Sequence, residues 1–264
     1  ETTSELADSN PEFIYSYRQG TGELHWTRLR TGESSMLVLP RYRLNIACSW
    51  CEVPGNSLYF TGGRGSQTSN SVSSIEINKD YAVLSRSPMI KKRGSHSSIY
   101  FKGFLYVIGG QRDGLSLNYC EKFSLENQQW SEMPPLKEAV YATSLFVEER
   151  TQMLYTLGGR QGVAPTNLIQ VFNVVEEVWR TLKLTLPDSS FCIPIFVSHS
   201  KLYLVLERTL FAFDVGRGDI QQVKTLNVAA KCFFGPSYYS KGILYASNCK
   251  GAAQQLSVGH LAKC

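Results

Sequence analysis

The sequence predicts an all-β propeller of five four-stranded blades, and three observations carry that prediction. A strand-like segment ending in two glycines recurs as Tyr59-Phe60-Thr61-Gly62-Gly63, Tyr106-Val107-Ile108-Gly109-Gly110 and Tyr155-Thr156-Leu157-Gly158-Gly159, with fainter copies at Tyr203 and Tyr245. The tyrosines step by 47, 49, 48 and 42 residues, a period at which each repeat is one supersecondary unit that buries its faces only against its neighbours. An aromatic pair keeps the same register: Phe123 and Trp130 lie 13 and 20 residues after Gly110, and Phe172 and Trp179 lie 13 and 20 after Gly159. Between these landmarks apolar and polar residues alternate in short runs bounded by turn residues, a pattern of strands and not of helices.

Along the chain, residues 1–12 lack both a basic start and an apolar stretch, so they read as a flexible lead-in and not as a signal peptide. Phe13 to Tyr17, a Gly20-Thr21-Gly22 turn and His25-Trp26-Thr27 follow as the outer half of a blade. Complete units start near residues 44, 95, 140 and 191, each with a first strand such as Ser98-Ile99-Tyr100-Phe101 ahead of its tyrosine, giving four strands in roughly 47 residues. The runs Phe233 to Tyr239 and Ile243 to Ala246 supply two inner strands with no Trp strand after them. Phe13 to Tyr17 is therefore expected to pair with Ile243 to Ala246, closing a composite fifth blade from both ends of the chain. A six-bladed ring is the alternative, with Gln254 to Val258 as a further strand. The propeller occupies residues 13–258 and leaves 259–264 as a tail. The paired glycines stand where neighbouring blades leave no room for a Cβ and where the next loop needs positive φ.

A strand ending in Gly-Gly, a spaced aromatic, a Trp and the Pro-containing link Met133-Pro134-Pro135 together resemble the kelch repeat. The resemblance is strong in residues 95–180 and fair in 45–90, where Val83 takes the Trp position. It is weak after residue 190, where Leu206-Glu207 and Ser247-Asn248 replace the glycines. It implies a non-enzymatic protein-interaction module, commonly the substrate-recognition end of a larger chain such as a BTB-kelch adaptor of a cullin-3 ubiquitin ligase. Cullin-3 would then be reached through an upstream domain outside these residues. The same resemblance admits an actin-binding cytoskeletal scaffold, and a propeller enzyme like the copper oxidases and sialic acid epimerases that share the repeat.

Composition narrows the classes further. No run of 18 apolar residues is present, so no membrane span is predicted. A net charge of +5, without a sustained basic run interleaved with aromatics, argues against nucleic acid as a partner. The seven cysteines are odd in number and scattered, and no Asn-x-Ser/Thr acceptor occurs, which points to the reducing cytoplasm. Cys48-Ser49-Trp50-Cys51 lacks the second pair that zinc would need, and residues three apart on a strand face opposite ways. Cys48, Cys192 and Cys232 read as small packing groups, and Cys264 as an exposed end. His25, His96, His199 and His260 have no partner at ligand spacing, and neither a nucleophile elbow nor a phosphate loop occurs. No catalytic residue, metal or cofactor is predicted.

A second register lies on top of the glycines. Arg64, Arg112, Arg160 and Arg208 are spaced by 48 residues and Lys250 follows after 42, each just past the glycine position. Equivalent blades would bring all five to one face around the central channel, where converging cations focus a positive potential. The planar guanidinium fork matches carboxylate or phosphate. The expected ligand is an acidic or phosphorylated peptide, with Ser66, Asn118 and Arg93 of the Lys91-Lys92-Arg93 link among its contacts. The competing structural reading is that these arginines staple neighbouring blades through backbone carbonyls. Trp26, Trp130 and Trp179 read as fourth-strand packing residues, whereas Trp50 breaks their register and reads as a candidate exposed anchor.

Overall fold

Six antiparallel sheets, not five, follow one another along the chain in the computed structural model, which describes residues 12–29, 31–39, 42–198, 201–227, 233–248, 253–259 and 261. The first holds β1 (Phe13–Tyr17), β2 (Glu23–Arg28) and β3 (Ser34–Val38). The second holds β4 (Ser49–Val53), β5 (Ser57–Thr61), β6 (Val72–Glu76) and β7 (Ala82–Arg86), with one 3-10 turn at Ile77–Lys79. The third holds β8 (Ser97–Phe101), β9 (Phe104–Ile108) and, beyond a small hairpin of β10 (Gln111–Arg112) and β11 (Leu115–Ser116), β12 (Cys120–Ser124) and β13 (Gln129–Met133). The fourth repeats that plan: β14 (Ser144–Glu148), β15 (Met153–Leu157), a hairpin of β16 (Arg160–Gln161) and β17 (Ala164–Pro165), then β18 (Ile169–Asn173) and β19 (Val178–Thr181). The fifth is β20 (Ile195–Ser198), β21 (Lys201–Leu206), β22 (Thr209–Asp214) and β23 (Asp219–Thr225). The sixth is β24 (Phe233–Ser240), β25 (Ile243–Asn248) and β26 (Ala253–Ser257). Residues 1–11 of the expected lead-in at 1–12, and residues 260 and 262–264 of the expected tail, lie outside the described residues.

The expectation of five blades is thereby corrected, because each end of the chain builds its own sheet. β25 pairs with β24 on one side and β26 on the other, so the expected pairing of Phe13–Tyr17 with Ile243–Ala246 does not form. Two strands shift the count. Ser34–Val38 carries no aromatic, and Ala253–Ser257 realises the strand on which the six-bladed alternative rested. Trp26 accordingly lies on β2, between β1 and β3, and not on an outer strand.

Period-two alternation on each second strand is what joins one blade to the next. On β5, Leu58 and Phe60 pack with Tyr17 and Leu24 of the first sheet, while Tyr59 turns the other way, toward Leu105 and Phe123. On β9, Leu105 and Val107 face back and Tyr106 and Ile108 face forward, against Leu154 and Trp179. Tyr155 on β15 meets Leu202 and Phe213, and Tyr203 on β21 meets Leu244 and Leu256. The recurrent tyrosine is therefore the residue that each of the second to fifth blades offers to its successor. β1 packs beside β25 and β26, bringing the first and sixth sheets together.

Backbone stitches run between blades at the same positions. Gly63, Gly110 and Gly159 donate their N–H to the carbonyls of Arg93, Val140 and Ser190, at 2.9, 2.9 and 2.8 Å. Nearer the axis, Ala47, Ser95, Ala142 and Cys192 all adopt φ between 51° and 55°. Ser95 N–H donates to the Ala47 carbonyl, Ala142 to Ser95 and Cys192 to Ala142, at 2.7, 2.7 and 2.8 Å. Ala47 itself donates to Oε1 of Gln19, so a side chain from the first blade extends the belt. The first strands β4, β8, β14, β20 and β24 surround the axis, and β24 stands beside β4. There Tyr238 donates to Glu52 Oε1 at 2.5 Å; burial pushes the Glu52 carboxyl pKa up.

Candidate functional site

Antiparallel strands alternate in direction, so the link from second to third strand and the link between successive blades open at the same end of the ring. Isolated bridges join the two kinds of link: Ile46 with Arg64, Gly94 with Gln111, Tyr141 with Arg160, and Thr166 with Ser190. This loop face holds the predicted arginines. Arg64 is bridged through its backbone to Ile46 and Thr68 and exposes its side chain. Arg112 is exposed on β10, with Nε 3.8 Å from Oδ2 of Asp113. Arg160 is half-buried on β16: its guanidinium lies 4.0 Å above the Phe191 ring, and Nη1 donates to the Val163 carbonyl at 3.1 Å. Arg208 is exposed in the two-residue turn between β21 and β22. Lys250 lies outside the described residues. Among the described residues, Arg160 is the one of these side chains that meets a backbone carbonyl, and that carbonyl belongs to its own hairpin and not to a neighbouring blade.

Arg93 is a correction. Its side chain is 0% exposed, donating to the carbonyls of Gly109 and Tyr119 and to Oε1 of Glu121 at 2.5 Å. Glu121 in turn accepts the N–H groups of Ile90 and Lys91. A guanidinium buried with its carboxylate partner joins two blades and is not offered to a ligand. Trp50 is also corrected: it is 2% exposed and stacked on Phe60 at 5.9 Å. Ser66 is exposed in the Arg64 loop, and Asn118 is half-buried beside a cavity of about 240 Å³ that Lys91, Tyr119 and Glu132 also line. Sequence reasoning missed the aromatics under the cations, Phe191 below Arg160 and Tyr119 4.2 Å from Lys91 Nζ. The available signal was an aromatic set against an otherwise polar loop.

The chemistry elsewhere is that of packing. Cys48 Sγ donates to Tyr17 Oη toward the first blade, whereas Cys51 belongs to the cluster shared with the third, so the two sulfurs part. Burial pushes the thiols of Cys48, Cys51 and Cys120 up to about 12, so no thiolate forms near neutral pH. His96 bonds Thr61 Oγ1 through Nε2 at 2.7 Å. Burial, with Arg93 nearby, holds its pKa well below the ordinary 6.5. Among the described residues no three His, Cys, Asp or Glu side chains gather as metal ligands. The axial cavity, about 360 Å³, is lined in part by Ser49, Ser98 and Ser144. These hydroxyls bond across blades: Ser49 with Ser98 at 2.7 Å, and Ser144 with the Ile193 carbonyl at 2.8 Å.

Comparison with known proteins agrees with this geometry. Residues 92–137 match the Kelch motif family model. Kelch-like protein 38 of Rattus norvegicus is 29% identical over 131 residues, 48% of this chain and 22% of the relative. Its Homo sapiens counterpart is 26% identical over 166 residues, 60% of this chain and 28% of the relative. An F-box/kelch-repeat protein of Arabidopsis thaliana is 33% identical over 87 residues, 32% of each chain. The matches thus span about a quarter of the Kelch-like relatives' length. With its glycine-ended second strands stitched to the next blade and its tyrosines handed forward around the axis, the chain is an all-β propeller, and its residues 92–137 carry a repeat similar to the Kelch motif.

Proposed function

We propose that this propeller is a non-enzymatic protein-interaction module that receives an acidic or phosphorylated peptide on its loop face. One observation carries the reading: Arg64, Arg112, Arg160 and Arg208 all stand in the link from second to third strand of four successive blades, at one end of the ring. The acids beside them in sequence are Asp113 and Glu207, too few to cancel four cations. The module serves as the substrate-recognition part of a larger cytoplasmic adaptor, reaching cullin-3 through a BTB domain in the manner of BTB-kelch proteins. The relative whose name joins kelch repeats to an F-box supports such an adaptor role. The buried free thiols of Cys48, Cys51 and Cys120 suit a reducing compartment.

The test is a panel of fluorescein-labelled dodecapeptides that are glutamate-rich, phosphoserine-containing, neutral or lysine-rich. The first two are expected to bind, and to bind more weakly as salt rises, because exposed charges are screened over about 8–10 Å at physiological ionic strength. Equal binding of the neutral set would overturn the reading.

A further inference from the structure

The loop face is not only basic. Leu115 is 70% exposed and Val163 is 90% exposed, on the corresponding loops of the third and fourth blades. Each stands on one of the small hairpins, Leu115 directly across from Arg112 and Val163 at the turn that follows Arg160 and Gln161. The second blade has a polar Gly65-Ser66-Gln67 segment in this loop and the fifth a bare two-residue turn, so among the described links from second to third strand the exposed apolar tips belong to two adjoining blades.

These tips are held in place. Gly162 N–H donates to Ser116 Oγ of the neighbouring hairpin at 2.8 Å, Tyr141 Oη donates to the Gly162 carbonyl at 2.8 Å, and Arg160 holds the Val163 carbonyl. Neither Leu115 nor Val163 contributes to an interblade core cluster. Large apolar side chains fixed in water, on rigid supports and beside cations, mark a surface that a partner covers.

Building on the reading of this face as a peptide site, we infer that the partner segment pairs its carboxylates or phosphate with an aliphatic or aromatic side chain that rests on Leu115 and Val163. The charges of the segment answer Arg112 and Arg160, whose positions flank the two tips. The apolar contact sets which acidic sequence is accepted, because screened surface charges discriminate weakly among acidic peptides whereas a desolvated apolar contact does not tolerate a missing side chain.

A random dodecapeptide library displayed on phage and panned against the chain tests this. The enriched sequences are expected to carry Asp or Glu within a few residues of Leu, Ile, Val, Phe or Trp. Synthetic versions should lose roughly tenfold in affinity on a Leu115→Ser, Val163→Thr double variant, a loss equivalent to about 1.4 kcal/mol, with an unchanged salt slope and an unchanged melting temperature. Acidic sequences without apolar enrichment, bound equally by the double variant, overturn this inference and leave the acidic-peptide reading standing. Enrichment of apolar sequences without acids overturns both.

Discussion

Gly158 shows how tightly the repeat constrains single residues. It holds φ at +60°, and a Cβ there would lie 2.3 Å from the Ser190 carbonyl oxygen, the atom that accepts the Gly159 N–H. Gly158→Ala is expected to destabilise beyond the common range of roughly 0.5–3 kcal/mol, measured by urea unfolding. Gly114 is the control, with φ +80° but no atom within 4 Å of its would-be Cβ, so Gly114→Ala should cost only about 1–2 kcal/mol of backbone strain. Equal losses would contradict the crowding argument. His96 gives a pH signature. Its folded pKa is depressed, so below about pH 6.5 the unfolded chain takes up a proton that the folded chain refuses, and stability falls as pH drops toward the folded value. Above pH 6.5 both states are neutral and the residue contributes no slope. Unfolding at pH 7.5 and 5.5 should show a larger loss in the parent than in His96→Gln; equal losses would refute the assignment. The glycines were legible in sequence because they repeat. The burial of Arg93 was not, because it depends on Glu121, 28 residues away on another blade.

At the scale of elements, the fourth strands of the third and fourth blades are pinned by indole donors. Trp130 Nε1 donates to the Ser87 carbonyl at 2.8 Å, and Trp179 Nε1 to the Pro134 carbonyl at 3.0 Å, each reaching the end of the preceding blade's outer strand. Trp179→Phe keeps a ring beside Phe172 but removes the donor, and should cost about 1–3 kcal/mol in chemical denaturation, since a part-buried carbonyl loses its partner. No change in stability would mean that the indole acts by packing alone. These strands were readable from the Phe and Trp spacing. β3 went unread and β26 was read only as the further strand of the six-bladed alternative, for a physical reason: their sequences Ser-Ser-Met-Leu-Val and Ala-Gln-Gln-Leu-Ser carry no aromatic, because neither lies between two crowded blades as a second strand does. The sequence-based count of five blades rested on aromatics, and so it merged two half-marked blades into one.

At the scale of the molecule, the described first strands that surround the axis number five, although the sheets number six. β24 and β4 meet through Tyr238 and Glu52, residues 186 apart in sequence, and the amide belt from Gln19 to Cys192 ties the first five blades at the same level. Such a ring holds its loops at fixed mutual positions, which allows four arginines from separate blades to act as one site. That the arginines share one end was legible from their constant spacing. Which of them stack on aromatics, and where apolar tips interrupt the charge, came only from the fold. The most direct measurement is the anisotropy of a labelled glutamate-rich or phosphoserine dodecapeptide, titrated with the parent and with an Arg112→Ala, Arg160→Ala double variant at several salt concentrations. Each charge-assisted hydrogen bond contributes roughly 1.5–3 kcal/mol, so the variant should bind at least tenfold more weakly, with a shallower salt dependence and an unchanged fold by circular dichroism. Parent-like affinity and salt dependence in the double variant would contradict the basic loop face as the binding site.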